Sequence, residues 1–408
     1  MEKISDWYPK RTLGSLLDDA AAKWGNREAI TYKGDSWSFT DWKREADRLA
    51  KGLIAYSVKP GDRVAVWMVN RPDWLFVMFA IAKVGACIVP LNTRYRADDV
   101  AYTLAQSRSS LLISVDKSGP VDYRAMLADT MPDIDKGRDG ALELMGFPEL
   151  RRLVFLGNET LPNSSSWDDM LTAGAVVSDA ELQARSDAVD PDSLLMIGYT
   201  SGTTGHPKGV MQAHIVIRNV HERAQLLGMT FEDVHLNYLP MFHLYGYSEL
   251  AMMAVISGAK QVLMDAFDAE TALDTAEREG VTIMHGFEAH WLDLLTSQEK
   301  RPRKLDFRFG TLPSGVDSTI PIAEKVQDVF GPTISGYGMT EAWAFITVTN
   351  PGHTREQRVN ASGYPMNDYE FRIIDPETGQ DQPTGVSGEI LIRGYAVMKG
   401  YWDKPEAT

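Results

Sequence analysis

The sequence is short of cysteine, of positive charge and of long apolar runs, and each shortage removes a class of protein. One cysteine, Cys87, stands among 408 residues, so no internal disulfide can form and a disulfide-stapled scaffold is excluded. Cys87 lies in Gly85-Ala86-Cys87-Ile88-Val89 and reads as a small buried hydrophobe. Acidic side chains outnumber basic ones by 56 to 41, a formal net charge of −15. That balance argues against nucleic acid as a partner. The basic cluster Arg301-Pro302-Arg303-Lys304 has no interleaved aromatics and reads as a solvated loop. No apolar run reaches membrane-spanning length; residues 75–82 are strongly apolar, but Lys83 stops them. No cationic leader with an apolar core and cleavage site opens the chain, and a cytoplasmic protein is the expectation.

What remains is a globular composition, 44% apolar and 24% charged, in a chain longer than a usual single domain. Short apolar segments alternate with amphipathic ones. Strand-like runs at 62–68, 87–91, 111–115 and 152–156 are separated by helical patterns, the first of them at 12–24 and led by Leu13, Leu16 and Leu17. Thr40 is the expected N-cap of a second helix, and Pro72 suits the first turn of a third. After the polar stretch 186–193 the rhythm repeats, with strands at 234–239, 260–264 and 281–285 and helices at 269–279 and 320–330. Beyond Trp343 the texture changes to short strands at 345–349, 370–374 and 389–393, separated by turns. The expectation is an α/β fold: two similar helix-covered, mostly parallel sheets at 1–190 and 191–342, then a small distorted antiparallel barrel at 343–408.

The chemistry concentrates in Tyr199-Thr200-Ser201-Gly202-Thr203-Thr204-Gly205-His206-Pro207-Lys208-Gly209, which follows the apolar Leu194-Leu195-Met196-Ile197 and is expected to lead into a helix near Ala213. Glycines let backbone N–H groups approach an anion, hydroxyls add neutral donors, and Lys208 supplies a mobile positive charge. The order suits a polyphosphate, although the loop is not a Walker A sequence.

This stretch resembles the signature loop of the adenylate-forming superfamily, which includes acyl-CoA and aryl-CoA ligases, luciferases and peptide-synthetase adenylation domains. Nearly the whole chain resembles the large N-terminal domain of the acyl-CoA or aryl-CoA ligase branch, with Gly336-Tyr337-Gly338-Met339-Thr340-Glu341 as a second signature. The resemblance implies activation of a carboxylic acid by ATP and Mg2+ to an acyl-adenylate, followed by transfer to coenzyme A. It assigns Thr200, Ser201, Gly202, Thr203, Thr204, Gly205 and Lys208 to the β- and γ-phosphates. Tyr337, flanked by Gly336 and Gly338 and followed by Met339, is implied to stack on adenine; Thr340 meets the α-phosphate and Glu341 holds the metal. A single carboxylate suffices for a cation that keeps its waters and binds phosphates.

Other candidates follow from the same resemblance. His243, in Pro240-Met241-Phe242-His243, is implied to border the acyl site, without a general-base role, since the substrate carboxylate is already ionised. Ser314 and Gly315, in Thr311-Leu312-Pro313-Ser314-Gly315-Val316, stand where the family has a small-residue loop near adenine and the acyl group; Leu312, Pro313 and Val316 are bulkier than that pattern. His285, Gly286 and Phe287 are expected beside the acyl pocket, with Gly315 and Gly338. Gly388-Glu389-Ile390-Leu391-Ile392-Arg393-Gly394 resembles a late structural strand motif of the family.

The sequence ends at Thr408, before the family's ribose-binding Asp, its hinge and the small C-terminal domain with the adenylating lysine. It reads as the large domain of a longer ligase, impaired by itself. Transfer to a carrier-protein phosphopantetheine and a non-catalytic acyl or nucleotide sensor are the alternatives. The acid is open among medium-chain, long-chain, aryl and alicyclic classes. A homodimer is the default expectation for assembly.

Overall fold

The computed structural model describes residues 9–137, 142–200 and 206–408. Two seven-stranded sheets, mostly parallel and flanked by helices, carry the chain. The first runs in the order Lys208–Ala213, Leu194–Thr200, Cys87–Pro90, Arg63–Trp67, Leu111–Val115, Arg152–Leu156 and Ser165–Ser166. The second runs Thr333–Ile334, Phe309–Thr311, Ile283–His285, Val234–Asn237, Lys260–Leu263, Glu28–Tyr32 and Asp35–Ser38. The central strands of the first sheet are buried along their whole length, which is why they read as continuous apolar runs and not as alternating ones.

Sheet membership crosses the expected boundary at 190/191. Ile30 and Thr31 pair in parallel with Gln261 and Val262, so the N-terminal hairpin completes the second sheet. Met196 pairs with Ile88, so the strand Leu194–Thr200 completes the first.

The expected strand-loop-helix order after Leu194 also needs correction. Lys208–Ala213 is a strand, antiparallel to Leu194–Thr200 in the register Thr200↔Lys208, Tyr199↔Gly209 and Gly198↔Val210. The helix starts only at Val216. Gly209 fits this pairing because a Cβ there would lie 2.7 Å from the Ile197 side chain. Lys208 therefore opens a strand and does not sit at a helix N-terminus.

Capping decides several helix starts. Ser38, and not Thr40, caps the helix Phe39–Ala55: its hydroxyl accepts from the Asp41 N–H at 3.0 Å and the Asp41 carboxylate accepts from the Ser38 N–H at 3.0 Å. Two donors that the helix start would orphan are thus satisfied. Pro72 opens the helix Pro72–Lys83, where its missing N–H costs nothing. That helix is buried nearly all round, and Lys83 closes it while only 3% exposed. Its ammonium is matched by Asp18 at 2.5 Å and Asp47 at 2.6 Å, which bind three helices at one point.

The antiparallel part is not a closed barrel among the described residues. It comprises a three-stranded sheet, Gly336–Gly338, Phe345–Val348 and Tyr364–Pro365, and a separate ribbon, Glu370–Ile374 with Glu389–Arg393. Gly338 is fixed by packing, since a Cβ there would fall 1.3 Å from the Ala344 carbonyl oxygen.

Candidate active site

The parallel strands of the second sheet end side by side at Asn237, His285, Thr311 and Ile334. The residues that follow these ends enclose a cavity of about 390 Å³: Leu239 and Pro240, then Phe287, then Pro313, then Gly336 to Thr340. His243 to Gly246, Ala344 and Phe345 complete the lining. Open α/β sheets place ligands at this end, where successive loops converge and backbone groups are not used by the ladder.

The local backbone turns sharply to build one wall. Trp343 and Ala344 both adopt positive φ, 63° and 49°, an uncommon conformation for residues with side chains. Trp343 is fully buried and packs edge-on against Tyr247, with ring centroids 5.9 Å apart. The turn brings Ala344 and Phe345 to the cavity. Behind them, Arg223 and Glu249 form a fully buried ion pair; Arg223 Nη1 donates to the Phe345 carbonyl at 2.9 Å and Asn219 Nδ2 donates to it at 3.1 Å.

His243 sits exposed at the cavity, its ring beside Phe242 at 4.6 Å between centroids. Partial burial of the ring and the nearby Arg94 lower its pKa, which favours the neutral form. Tyr337, Gly338, Met339 and Thr340 lie together in the same lining. Gln212 Nε2 donates to the Thr340 carbonyl at 2.9 Å, and the Thr340 methyl lies beside Gly198. The strand pair that carries Lys208 is thereby tied to the cavity wall.

Several expected site residues lie elsewhere. His285 is fully buried behind the cavity: its Nδ1 is 2.8 Å from Thr311 Oγ1, its Nε2 is 3.3 Å from His235 Nδ1, and its carbonyl accepts from the Tyr238 hydroxyl. Burial, together with the facing His235 ring, drives its pKa well below the ordinary value, so it is a neutral core group and does not line the cavity. Gly286 is buried and donates its N–H to the Thr311 carbonyl at 3.0 Å. Ser314 gives its hydroxyl to the Val359 carbonyl at 2.6 Å, and Gly315, at φ 101°, packs against Ser362. From that loop it is Pro313 that reaches the cavity. Of the phosphate loop, Ser201, Gly202, Thr203, Thr204 and Gly205 lie outside the described residues; Thr200 and Lys208 are paired across the hairpin. His206 stacks on Tyr102 at 4.4 Å, and the Tyr102 hydroxyl donates to the Pro207 carbonyl at 3.1 Å.

The structure also brings in residues for which no role was expected. Tyr245 and Phe345 line the cavity, their rings edge-on at 5.4 Å. Tyr401 donates its hydroxyl to Glu341 Oε1 at 2.8 Å, while the Lys208 ammonium lies 4.3 Å from its ring centre. The segment around Tyr401 extends the first sheet: Trp402 N–H donates to the Gly209 carbonyl at 2.7 Å, and Met211 N–H to the Gly400 carbonyl at 3.0 Å. The one signal in the sequence was the aromatic pair Tyr401-Trp402 following Gly400.

Glu341 presents one carboxylate with one oxygen already bonded to Tyr401. The described residues contain no cluster of three or more acidic, His or Cys side chains able to cage a metal. This donor set fits Mg2+ arriving on phosphate oxygens and does not fit a resident, protein-enclosed ion.

Fold and site together define an α/β enzyme with a ligand cleft at the strand ends. A family profile described as AMP-binding enzyme matches residues 17–402, and the chain belongs to that family. YngI of Bacillus subtilis (strain 168), whose name places it provisionally among the acyl-CoA synthetases, is 33% identical over 97% of this chain and 73% of its own length. The mitochondrial medium-chain acyl-CoA ligase ACSF2 of Rattus norvegicus is 28% identical over 98% of this chain and 66% of its own. The chain thus spans about two thirds to three quarters of the length of these relatives. Among solved structures, the anthranilate CoA ligase AuaEII in complex with anthranoyl-AMP superposes with a TM-score of 0.82, at 22% identity, over 99% of this chain and 74% of that one. At that identity the likeness is one of fold. No helix among the described residues is long and apolar enough to cross a membrane.

Proposed function

We propose that the chain binds ATP and an apolar carboxylic acid and activates the acid as an acyl-adenylate, the first half of an acid–thiol ligase reaction. A carboxylate oxygen attacks the α-phosphorus, the bond to the bridging oxygen of the β-phosphate breaks, and pyrophosphate leaves. In the second half the sulfur of coenzyme A attacks the acyl carbon; the thiol proton is lost and AMP departs.

The observation that carries this reading is the convergence at one strand-end cavity of Tyr337 to Thr340, His243, Phe287 and Phe345, with Lys208 and Glu341 meeting at Tyr401 nearby. In this assignment Tyr337 packs against adenine and Thr340 reaches the α-phosphate. Lys208 and the residues from Thr200 to Gly205 meet the charge that grows on the leaving pyrophosphate. Glu341 holds Mg2+, which when bound draws electron density from the phosphates and so eases departure of the leaving group. His243, kept neutral, offers a hydrogen bond at the reacting carboxylate without competing as a cation. The apolar walls formed by Leu239, Tyr245, Phe287, Pro313 and Phe345 suit a medium-chain or aryl acid.

The test is calorimetry of this chain with non-reactive acyl-adenylate analogues, from short aliphatic to long aliphatic to aryl. Tight binding that depends on the acyl group supports the assignment. Absence of binding to every analogue by the folded chain overturns it.

A further inference from the structure

The contact that ties Lys208 to Glu341 runs through a residue with no assigned part in the reaction. In an antiparallel pair, directly opposed residues and their next-but-one neighbours share a face. Tyr401 bridges Val210, and Lys208 lies two residues along on the same strand, so its stem reaches diagonally to the Tyr401 ring. The backbone on both sides of Tyr401 is fixed: Lys399 N–H donates to the Met211 carbonyl at 2.9 Å and Trp402 N–H to the Gly209 carbonyl at 2.7 Å. Glu341 is joined to the same segment through its own backbone, its carbonyl accepting from the Met398 N–H at 2.7 Å.

Two opposite charges are thus anchored on neighbouring segments. An ammonium and a carboxylate so placed would gain by pairing directly, and each would then be withdrawn from a ligand. No ion pair between Lys208 and Glu341 forms among the described residues. The Tyr401 side chain stands between them instead. Its ring face attracts the ammonium without using up that group's hydrogen-bond donors. Its hydroxyl occupies one carboxylate oxygen and orients the other.

We propose that Tyr401 is a positioning residue that keeps Lys208 and Glu341 apart, so that the ammonium meets the terminal phosphates and the second carboxylate oxygen meets the metal they carry. The proposal rests on the nucleotide assignment made above. It separates two functions within one side chain: the hydroxyl serves the metal side through Glu341, and the ring serves the phosphate side through Lys208.

The test uses calorimetric binding of a non-hydrolysable ATP analogue to the 408-residue chain, with and without Mg2+. Y401F keeps the ring and removes the donor. It is expected to lower affinity about 10-fold in Mg2+, the scale of one hydrogen bond to a charged group, and to leave metal-free affinity unchanged. Y401L removes both and is expected to weaken binding in both conditions. In an E341Q background, Y401F is expected to add no further loss, since its effect passes through Glu341. A purely structural role would lower affinity equally with and without metal and would persist in the E341Q background; either result overturns the proposal, as does wild-type affinity in Y401F. If the unaltered chain binds the analogue in neither condition, the nucleotide assignment itself falls; if it binds and only the Y401F pattern fails, the assignment stands and the positioning role does not.

Discussion

Replacing Glu249 by Gln should destabilise the chain by about 3–5 kcal/mol, although shape and volume hardly change. Glu249 and Arg223 are both fully buried. The carboxylate accepts from Arg223 Nη2 at 2.5 Å and from Arg223 Nε at 2.9 Å, so both oxygens are used. An amide supplies only one oxygen; its NH2 would face a guanidinium N–H, and the guanidinium charge would remain in the core without a counter-charge. The rest of the Arg223 donors cannot absorb that change, because they are committed to Asn219, Ser248 and the Phe345 carbonyl. Urea unfolding followed by tryptophan fluorescence measures the loss. The Arg223→Met, Glu249→Leu double variant removes both charges and is expected to cost less than Glu249→Gln alone. Because Arg223 also holds the Phe345 carbonyl, the single variant should weaken binding of acyl-adenylate analogues even where it is fully folded. A cost below about 1 kcal/mol for Glu249→Gln, or a double variant whose cost equals the sum of the two singles, would refute the account of this pair.

Two further outcomes follow from the geometry. His214 and His235 are buried, and desolvation lowers each pKa from 6.5 to about 4. Below 6.5 the unfolded chain takes up protons that the folded chain refuses, so stability is complete above that pH and is lost as pH falls toward 4. At about 1.4 kcal/mol per pH unit this is about 3 kcal/mol for each ring; urea midpoints between pH 7.5 and 4.5 measure it, and His214→Gln should flatten the profile. Gly338→Ala should abolish ligand binding by forcing the Gly336–Gly338 strand off Phe345–Val348, whereas Gly146→Ala, in open space with no positive φ, should change stability by less than about 0.5 kcal/mol in the same assay.

Much of the local structure was legible because burial leaves a simple mark on sequence. The strands Leu111–Val115 and Arg152–Leu156 and the helices Ala269–Glu279 and Ile320–Phe330 fall where their apolar patterns place them. What was not legible depends on pairing between distant segments. Nothing in Glu28–Tyr32 states that its partner is Lys260–Leu263, since parallel strands of similar composition are interchangeable by pattern alone. The strand Lys208–Ala213 was concealed by its two polar positions, Lys208 and Gln212, and by the helix that follows closely. The cap fell to Ser38 because Asp41 stands three residues beyond it, and a hydroxyl two residues later could not complete that exchange. In the site, Gly336 to Glu341 could be found as a contiguous string. Pro313, Tyr245 and Phe345 meet only in the fold, and the hydroxyl of Tyr401 reaches a carboxylate 60 positions away.

The exchange of strands between the two sheets has a consequence for how the chain is made. Ile30 pairs with Gln261, so this early strand must wait, unpartnered on that side, until about 230 further residues have been made. Its hairpin with Asp35–Ser38 can close early, but one edge stays open to wrong partners throughout that interval. A nascent chain halted near residue 190 would lack Leu194–Thr200 and Lys208–Ala213 from one sheet and nearly all of the other, leaving two raw edges at once. The halves are therefore not autonomous. They are expected to reconstitute, if expressed as fragments, only when each is supplied with the other, and to aggregate when made alone.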